Sequence, residues 1–197
     1  METKKRNRTE SQNRILQAGL AVFSEHGYDA ATTRMIAARA GLNESLIQRY
    51  FKSKAGLLLA VNELSMKAML AQKPYPPQAD PESEIFQFMA TKMEQDGKDL
   101  RFVRVIISRI LIDEQLRAEM QRKFPPPSKT FLHDRLESFR HTGLIAKSID
   151  IPALVRIIMS QSFIIGMQER IMFGRTKKEC LEHFRFFAHI AAKGIAP

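Results

Sequence analysis

The residues best suited to chemistry in this chain lie between Thr33 and Tyr50, and the chemistry is recognition of a polyanion. Two short helices meeting at a tight turn need a small residue where they cross and a residue tolerant of positive φ in the turn. They also need apolar side chains that clamp the second helix. Ala37 meets the first need, Gly41 the second, and Ile36, Ala40, Leu42, Ile47 and Tyr50 the third. Asn43 can cap the second helix, which leaves Glu44, Ser45, Gln48 and Arg49 facing outward at its start. Such a helix-turn-helix at 33–50 enters a DNA groove. There a glutamine amide pairs bidentately with adenine, and an arginine adds affinity through phosphate. Glu44 either accepts from cytosine or stays solvated while repelling phosphate. A helical hairpin that packs a core and touches no DNA satisfies the same spacing.

No second constellation competes with this one. His26, His133, His141, His183 and His189 show neither an HExxH motif nor paired i,i+4 spacing, and Cys180 has no recognisable motif around it. A glycine-rich phosphate loop and a nucleophile elbow are also missing from the sequence. The expectation is a protein that is not an enzyme, with no catalytic residues, no metal and no cofactor.

Composition agrees with a polyanionic partner. The formal charge is +10 and the pI near 9.9, and residues 1–60 hold 10 Lys+Arg against 5 Asp+Glu. The basic start, Lys4, Lys5, Arg6 and Arg8, either reaches a minor groove or phosphates, or remains a solvated tail. One cysteine allows no intrachain disulfide, and the apolar stretch Ile157 to Met167, flanked by Arg156 and Arg170 and interrupted by Gln161, reads as too short to span a bilayer. The expected setting is cytoplasmic, without membrane contact.

Helical spacing of apolar residues nearly everywhere, with no alternating strand run, makes the fold all-α with about nine or ten helices. The first helix is expected from Thr9, capped through Gln12, to His26-Gly27, with Gly27 as a left-handed C-terminal residue. Further helices follow Thr32-Thr33, Asn43 and Ser53, the last ending near Gln72 before Pro74, Pro76 and Pro77. Asp80-Pro81 opens another to about Gln95, and helices are expected over Asp99 to Asp113, Ser128 to His141 and Asp150 to Phe173. A final one is opened by the capping box Thr176-x-x-Glu179.

With its flanks included, the helix-turn-helix resembles a known family. Arg14-Ile-Leu-Gln-Ala18, Phe23-Ser-Glu-His-Gly27-Tyr28, Thr32-Thr33, Ile36-Ala37, Ala40-Gly41 and Tyr50-Phe51-Lys52-Ser53-Lys54 resemble the N-terminal domain of TetR/AcrR transcriptional regulators. The resemblance implies an N-terminal arm and three-helix DNA-binding head (1–52), a connecting helix (53–73) and a C-terminal helical domain (74–197) that dimerises and binds an effector. It also implies that Thr33, with Arg34 beside it, meets a phosphate at a helix N-terminus, that Lys54 meets the DNA backbone, and that Tyr50 packs while offering its hydroxyl to phosphate. Ser45 and Gln48 depart from the family's usual glycine and tyrosine, so operator preference is expected to differ.

The body carries two further expectations. The helix over Asp150 to Phe173 is apolar around most of its circumference, as when one side faces a core and another a partner; burial inside one subunit would require the same. Ile158, Ser162, Ile165 and Gly166, with Phe184, Phe187, Ala188 and Ala191 of the last helix, are the candidate homodimer interface. Met66, Met89, Met93, Phe102, Ile106, Phe131, Phe139, Met159 and Phe163 are the candidate lining for a small apolar or amphipathic effector, or else ordinary core filling. The function expected is a sequence-specific regulator on palindromic double-stranded DNA, a repressor released by a small molecule. A nucleoid or division factor built on the same head remains the alternative.

Overall fold

The computed structural model describes residues 2–70, 74–97, 100–124 and 130–197, leaving aside the side chains of 2–6, 68–70 and 96–97. Every regular element among them is helical. The elements are α1 (Glu2–Ala30), α2 (Thr33–Ala40), α3 (Ser45–Phe51), α4 (Lys54–Leu70), α5 (Pro81–Gly97), α6 (Leu100–Ile112), α7 (Glu114–Lys123), α8 (Phe131–His141), α9 (Ile151–Phe163), α10 (Arg170–Phe173) and α11 (Lys177–Ile195). A π-helical turn, Ile164–Glu169, joins α9 to α10 without a break.

Capping chemistry explains most of the boundaries. The side chains of Thr32, Asp113 and Asp150 accept from the backbone N–H of Met35, Leu116 and Ala153, and Thr176 with Glu179 forms the reciprocal box. Two expectations at the start of the chain are corrected. Thr9 lies inside α1, which begins well before it, and Gly27 has φ 75 and ψ 179, an extended glycine conformation that kinks α1 instead of the left-handed turn expected. The helix α7 adds to the expected elements, because Asp113 reads equally as the end of α6 and as the cap that opens α7. The arm residues Lys4, Lys5 and Arg6, and the helix start at Ser128, lie outside the described side chains and residues.

The chain divides into two compact units. Unit 1 is Met1–Gln72 with Asp99–Pro125, and unit 2 is Lys73–Lys98 with Pro126–Pro197. The single C-terminal domain expected over 74–197 is thus interrupted, since α6 and α7 pack with the head. Phe102, Val105, Ile106 and Leu116 join Ile15, Phe23, Ile36, Ile47 and Leu57 to Leu59 in one core. Burying such side chains contributes about 1.5–3 kcal/mol each, so α6 is structural to the head.

Unit 2 is built from α5, α8, α9 and α11 around Met89, Met93, Leu136, Ile158 and Phe184. Within it Glu84 is fully buried. Its carboxylate accepts from the Tyr75 hydroxyl, from Arg135 Nη1 at 2.8 Å and from the Gln78 N–H at 2.9 Å. Arg135 also donates to the Tyr75 carbonyl and lies 4.5 Å above its ring. Burial, reinforced by the Glu84 bond, pushes the Tyr75 phenol far above its ordinary value, so it stays a neutral donor.

The run Ile151–Phe173 is 23 residues and holds an 18-residue window of mean hydropathy 1.3, long and apolar enough by those measures to cross a bilayer, contrary to the expectation. Ile151, Val155 and Ile158 are interior to unit 2, as in the core helix of a globular domain. Burial of Cys180 raises its thiol pKa and removes it from thiolate chemistry; its Sγ donates to the Ile165 carbonyl in the π turn at 3.4 Å.

Candidate nucleic-acid interface

The turn of the helix-turn-helix is made by Gly41, at φ 61 and ψ 39. Its N–H donates to the Ala38 carbonyl and that of Leu42 to the Ala37 carbonyl, a paired closure that only a left-handed residue at 41 permits. Arg14 Nη2 reaches from α1 to the Ala40 carbonyl at 2.6 Å, adding a cation where the helix dipole is negative. Asn43 caps α3 as expected, its Oδ1 accepting from the Ser45 N–H at 2.8 Å.

Ile47 is buried and Tyr50 half-buried, with Tyr50 edge-on to Phe51 at 6.3 Å, so one face of α3 is clamped to the core. Its other face exposes Ser45, Gln48 and Arg49, next to exposed Asn43 and Glu44 and, on α2, Arg34. The guanidiniums of Arg8 and Arg49 lie 5.6 and 6.0 Å from the Tyr50 ring, which sets the helical start of α1 beside the recognition helix. Polar, groove-sized and backed by a core, this surface suits a DNA major groove.

Two of the expected phosphate contacts are engaged elsewhere. The Thr33 hydroxyl donates to Glu44, while Thr32 does the capping, so a phosphate at Thr33 must displace that carboxylate. Lys54 Nζ donates to the carbonyls of Tyr28 and Ala31, each at 2.9 Å, and to that of Asp29 at 3.4 Å, and it lies 4.4 Å from the Tyr28 ring. All three of its N–H donors are engaged within the head, so a phosphate meeting Lys54 must compete with those carbonyls. Lys54→Ala is therefore expected to cost about 2 kcal/mol of stability, since bonds from a charged donor are worth about 1.5–3 kcal/mol. A thermal melt run beside a DNA titration checks this; weaker DNA binding at an unchanged melting temperature would return Lys54 to the phosphate role.

The expected effector lining is not one surface. Met89, Met93, Phe131, Phe139 and Met159 gather in the unit 2 core, whereas Phe102 and Ile106 belong to the unit 1 core. Met66 is in unit 1, where it accepts from the buried Asn62 amide at 3.4 Å, and Phe163 is 41% exposed. The expected dimer residues are mostly interior to the subunit. Ile158, Ser162, Ile165, Gly166, Phe184 and Ala188 are buried within the subunit, and Phe187 and Ala191 are half-buried. The exposed apolar side chains of α9, the π turn and α11 are Ile157, Phe163, Ile164, Phe186 and Ile190. Four histidines approach carboxylates, the closest being His183 to Glu169 at 3.0 Å and His189 to Glu82 at 3.1 Å. Among the described residues no group of three His, Cys, Asp or Glu could hold a metal.

Fold and site together define an all-helical, helix-turn-helix DNA-binding regulator. Residues 15–61 match the family described as bacterial regulatory proteins, tetR family; the head is that of a TetR-family regulator, and the whole chain carries the family's fold. A Rhodococcus sp. structure assigned to TetR-family transcriptional regulators superposes with TM-score 0.72 at 15% identity, covering 93% of this chain and 99% of that one. One from Mesorhizobium loti MAFF303099, assigned likewise, gives 0.66 at 19% identity over 96% and 98%. A TetR family transcriptional regulator from Pseudomonas syringae pv. tomato str. DC3000 gives 0.63 at 16% over 90% and 94%. At these identities the likeness is one of fold. No curated protein matches the chain.

Proposed function

We propose that this protein is a homodimeric, cytoplasmic repressor that reads a palindromic operator and is released from it by a small apolar or amphipathic molecule. The carrying observation is the exposed edge of α3, Ser45, Gln48 and Arg49, presented by a helix whose other face is fixed in the core. Ser45 and Gln48 are the residues assigned to base selection, with Asn43, Thr33, Arg34, Arg49 and Tyr50 positioning the helix along phosphates. Dimerisation supplies the second half-site. The surface assigned to it is the set Ile157, Phe163, Ile164, Phe186 and Ile190, because large apolar side chains left exposed on neighbouring elements suit a partner-facing surface.

Phe186→Glu is accordingly expected to shift the protein from dimer to monomer in sedimentation while leaving its helical content intact. Ala188→Glu, at an interior position, is expected to unfold unit 2 instead. A dimer unaffected by Phe186→Glu would move the interface elsewhere.

Release requires an effector that binds better to a form whose two heads no longer match the half-sites. The apolar group Met89, Met93, Phe131, Phe139 and Met159 is the support for an apolar ligand. Sequencing of genomic fragments retained by the protein, with and without candidate ligands, tests the whole reading. Palindromes overlapping promoters support it; broad chromosomal retention without expression changes supports a nucleoid role.

A further inference from the structure

Along the seam between the end of α1 and α6, within unit 1, runs an open cleft of about 510 Å³. Its α6 wall carries Arg101, Arg104 and Arg109 on successive turns, and its α1 wall is the Gly27–Asp29 kink. Arg101 and Arg104 are exposed, and no hydrogen bond or ion pair to a described residue holds either guanidinium. Arg109 is held, with Nη1 3.5 Å from Asp29, Nη2 2.9 Å from Asp113 and its plane 4.6 Å from the Tyr28 ring. That leaves its Nε, which is buried and has no hydrogen-bond partner. A buried N–H without an acceptor is costly in a native fold and marks a place where an acceptor is missing.

The carboxylates nearby do not supply one. Glu25 is committed to Arg39, and Asp113 to Arg109 and the Leu116 N–H. Asp29, 86% exposed, is the remaining acid on the cleft and already faces Arg109. Arg101, which also feels the Glu25 carboxylate across the cleft, and Arg104 therefore stand as two exposed cations without a hydrogen-bonded partner among the described residues, beside an orphaned donor. Planar guanidiniums match oxyanions bidentately, and two free cations match a dianionic phosphate better than a carboxylate.

We propose that this cleft binds a phosphate group, held by Arg101 and Arg104 at its mouth and beside the Arg109 guanidinium, whose buried Nε–H is left to take an acceptor if the side chain turns toward the cleft. The phosphate comes either from a free phosphorylated molecule or from DNA backbone flanking the operator. In either case it acts on Arg109, which stacks on the same Tyr28 ring that Lys54 approaches, at the turn leading into α2.

Two measurements on the full-length chain test this in phosphate-free buffer: calorimetric titration with inorganic pyrophosphate without DNA, and the salt dependence of DNA binding. Each compares the wild type with Arg101→Ala/Arg104→Ala and with Arg101→Lys/Arg104→Lys. Both side chains are exposed and neither is hydrogen-bonded to a described residue, so the melting temperature is expected to hold. A saturable heat weakened tenfold or more in the alanine pair and partly kept in the lysine pair, at unchanged salt slope, supports a free ligand. No heat, but a slope shallower by about one unit per arginine in contact, supports backbone phosphate. Identical behaviour of wild type and alanine pair in both measurements overturns the proposal. A wild type that binds no DNA overturns the regulator reading by itself, and calorimetry alone then decides the cleft, with absence of heat counting against it.

Discussion

Gly56→Ala is expected to dismantle the junction between the recognition helix and α4. In an ordinary helix interior this change stabilises by about 1 kcal/mol. Here a Cβ at position 56 would lie 2.1 Å from the Phe51 carbonyl oxygen and 3.3 Å from its carbon. The obstacle is backbone at the end of α3, so no side-chain rotation relieves it. Ser53 tightens the same corner, its Oγ accepting from the Gly56 N–H at 2.9 Å. Lys52, immediately before it, already holds φ 68, the one positive φ on a non-glycine residue among the described residues. Overpacking of this kind costs about 3 kcal/mol or more. At about 2–4 °C per kcal/mol for a chain of this size, the melting temperature is expected to fall by roughly 6–12 °C, with loss of DNA binding. A raised melting temperature would mean that α3 is free to move away from α4.

The second large effect is expected at Arg135. Its removal leaves the Glu84 carboxylate fully buried with the Tyr75 hydroxyl and the Gln78 N–H but no cation. Breaking one partner of a buried pair costs about 3–5 kcal/mol, whereas replacing both by apolar groups of similar volume is often neutral. Arg135→Ala should therefore lower the urea midpoint of unit 2 strongly, and Arg135→Met with Glu84→Met should recover most of the loss. If the single and double variants lose stability equally, the pair matters by its packing and not by its charge.

What could be read from the sequence was local. Gly41, Asn43, Asp80-Pro81 and Thr176-x-x-Glu179 each act on backbone within a few residues, and the turn, caps and helix starts they imply are the ones found. What could not be read depends on distant partners. Arg135 and Glu84 are 51 residues apart, and Lys54 finds its carbonyls 23 to 26 residues back. Nothing in the order of elements says that Phe102 and Ile106 of α6 return to the core of the head.

The faces of α9 and α11 are hard to read from sequence for a related reason. A helix apolar around its whole circumference does not declare which side faces inward, so the sequence does not separate Ile158 and Ser162, which are buried in the subunit, from their exposed neighbours Ile157 and Phe163. The π turn at Ile164–Glu169 then shifts the helical register beyond it, a change that no periodicity count anticipates. On α3 the exposed residues follow the expected assignment, because Gly41 sets the turn between α2 and α3 and Ile47 marks the face of α3 that enters the core.

The central claim is that the exposed edge of α3 selects the operator, and the most direct measurement is a bound-fragment selection run in parallel with wild type and Gln48→Ala. The expected result is a palindromic motif with wild type and a relaxed preference at one symmetric base position with the variant, at a cost of about 1–3 kcal/mol on the cognate site. An unchanged motif and affinity in the variant would contradict base reading by Gln48, and no motif with wild type would contradict the regulator itself.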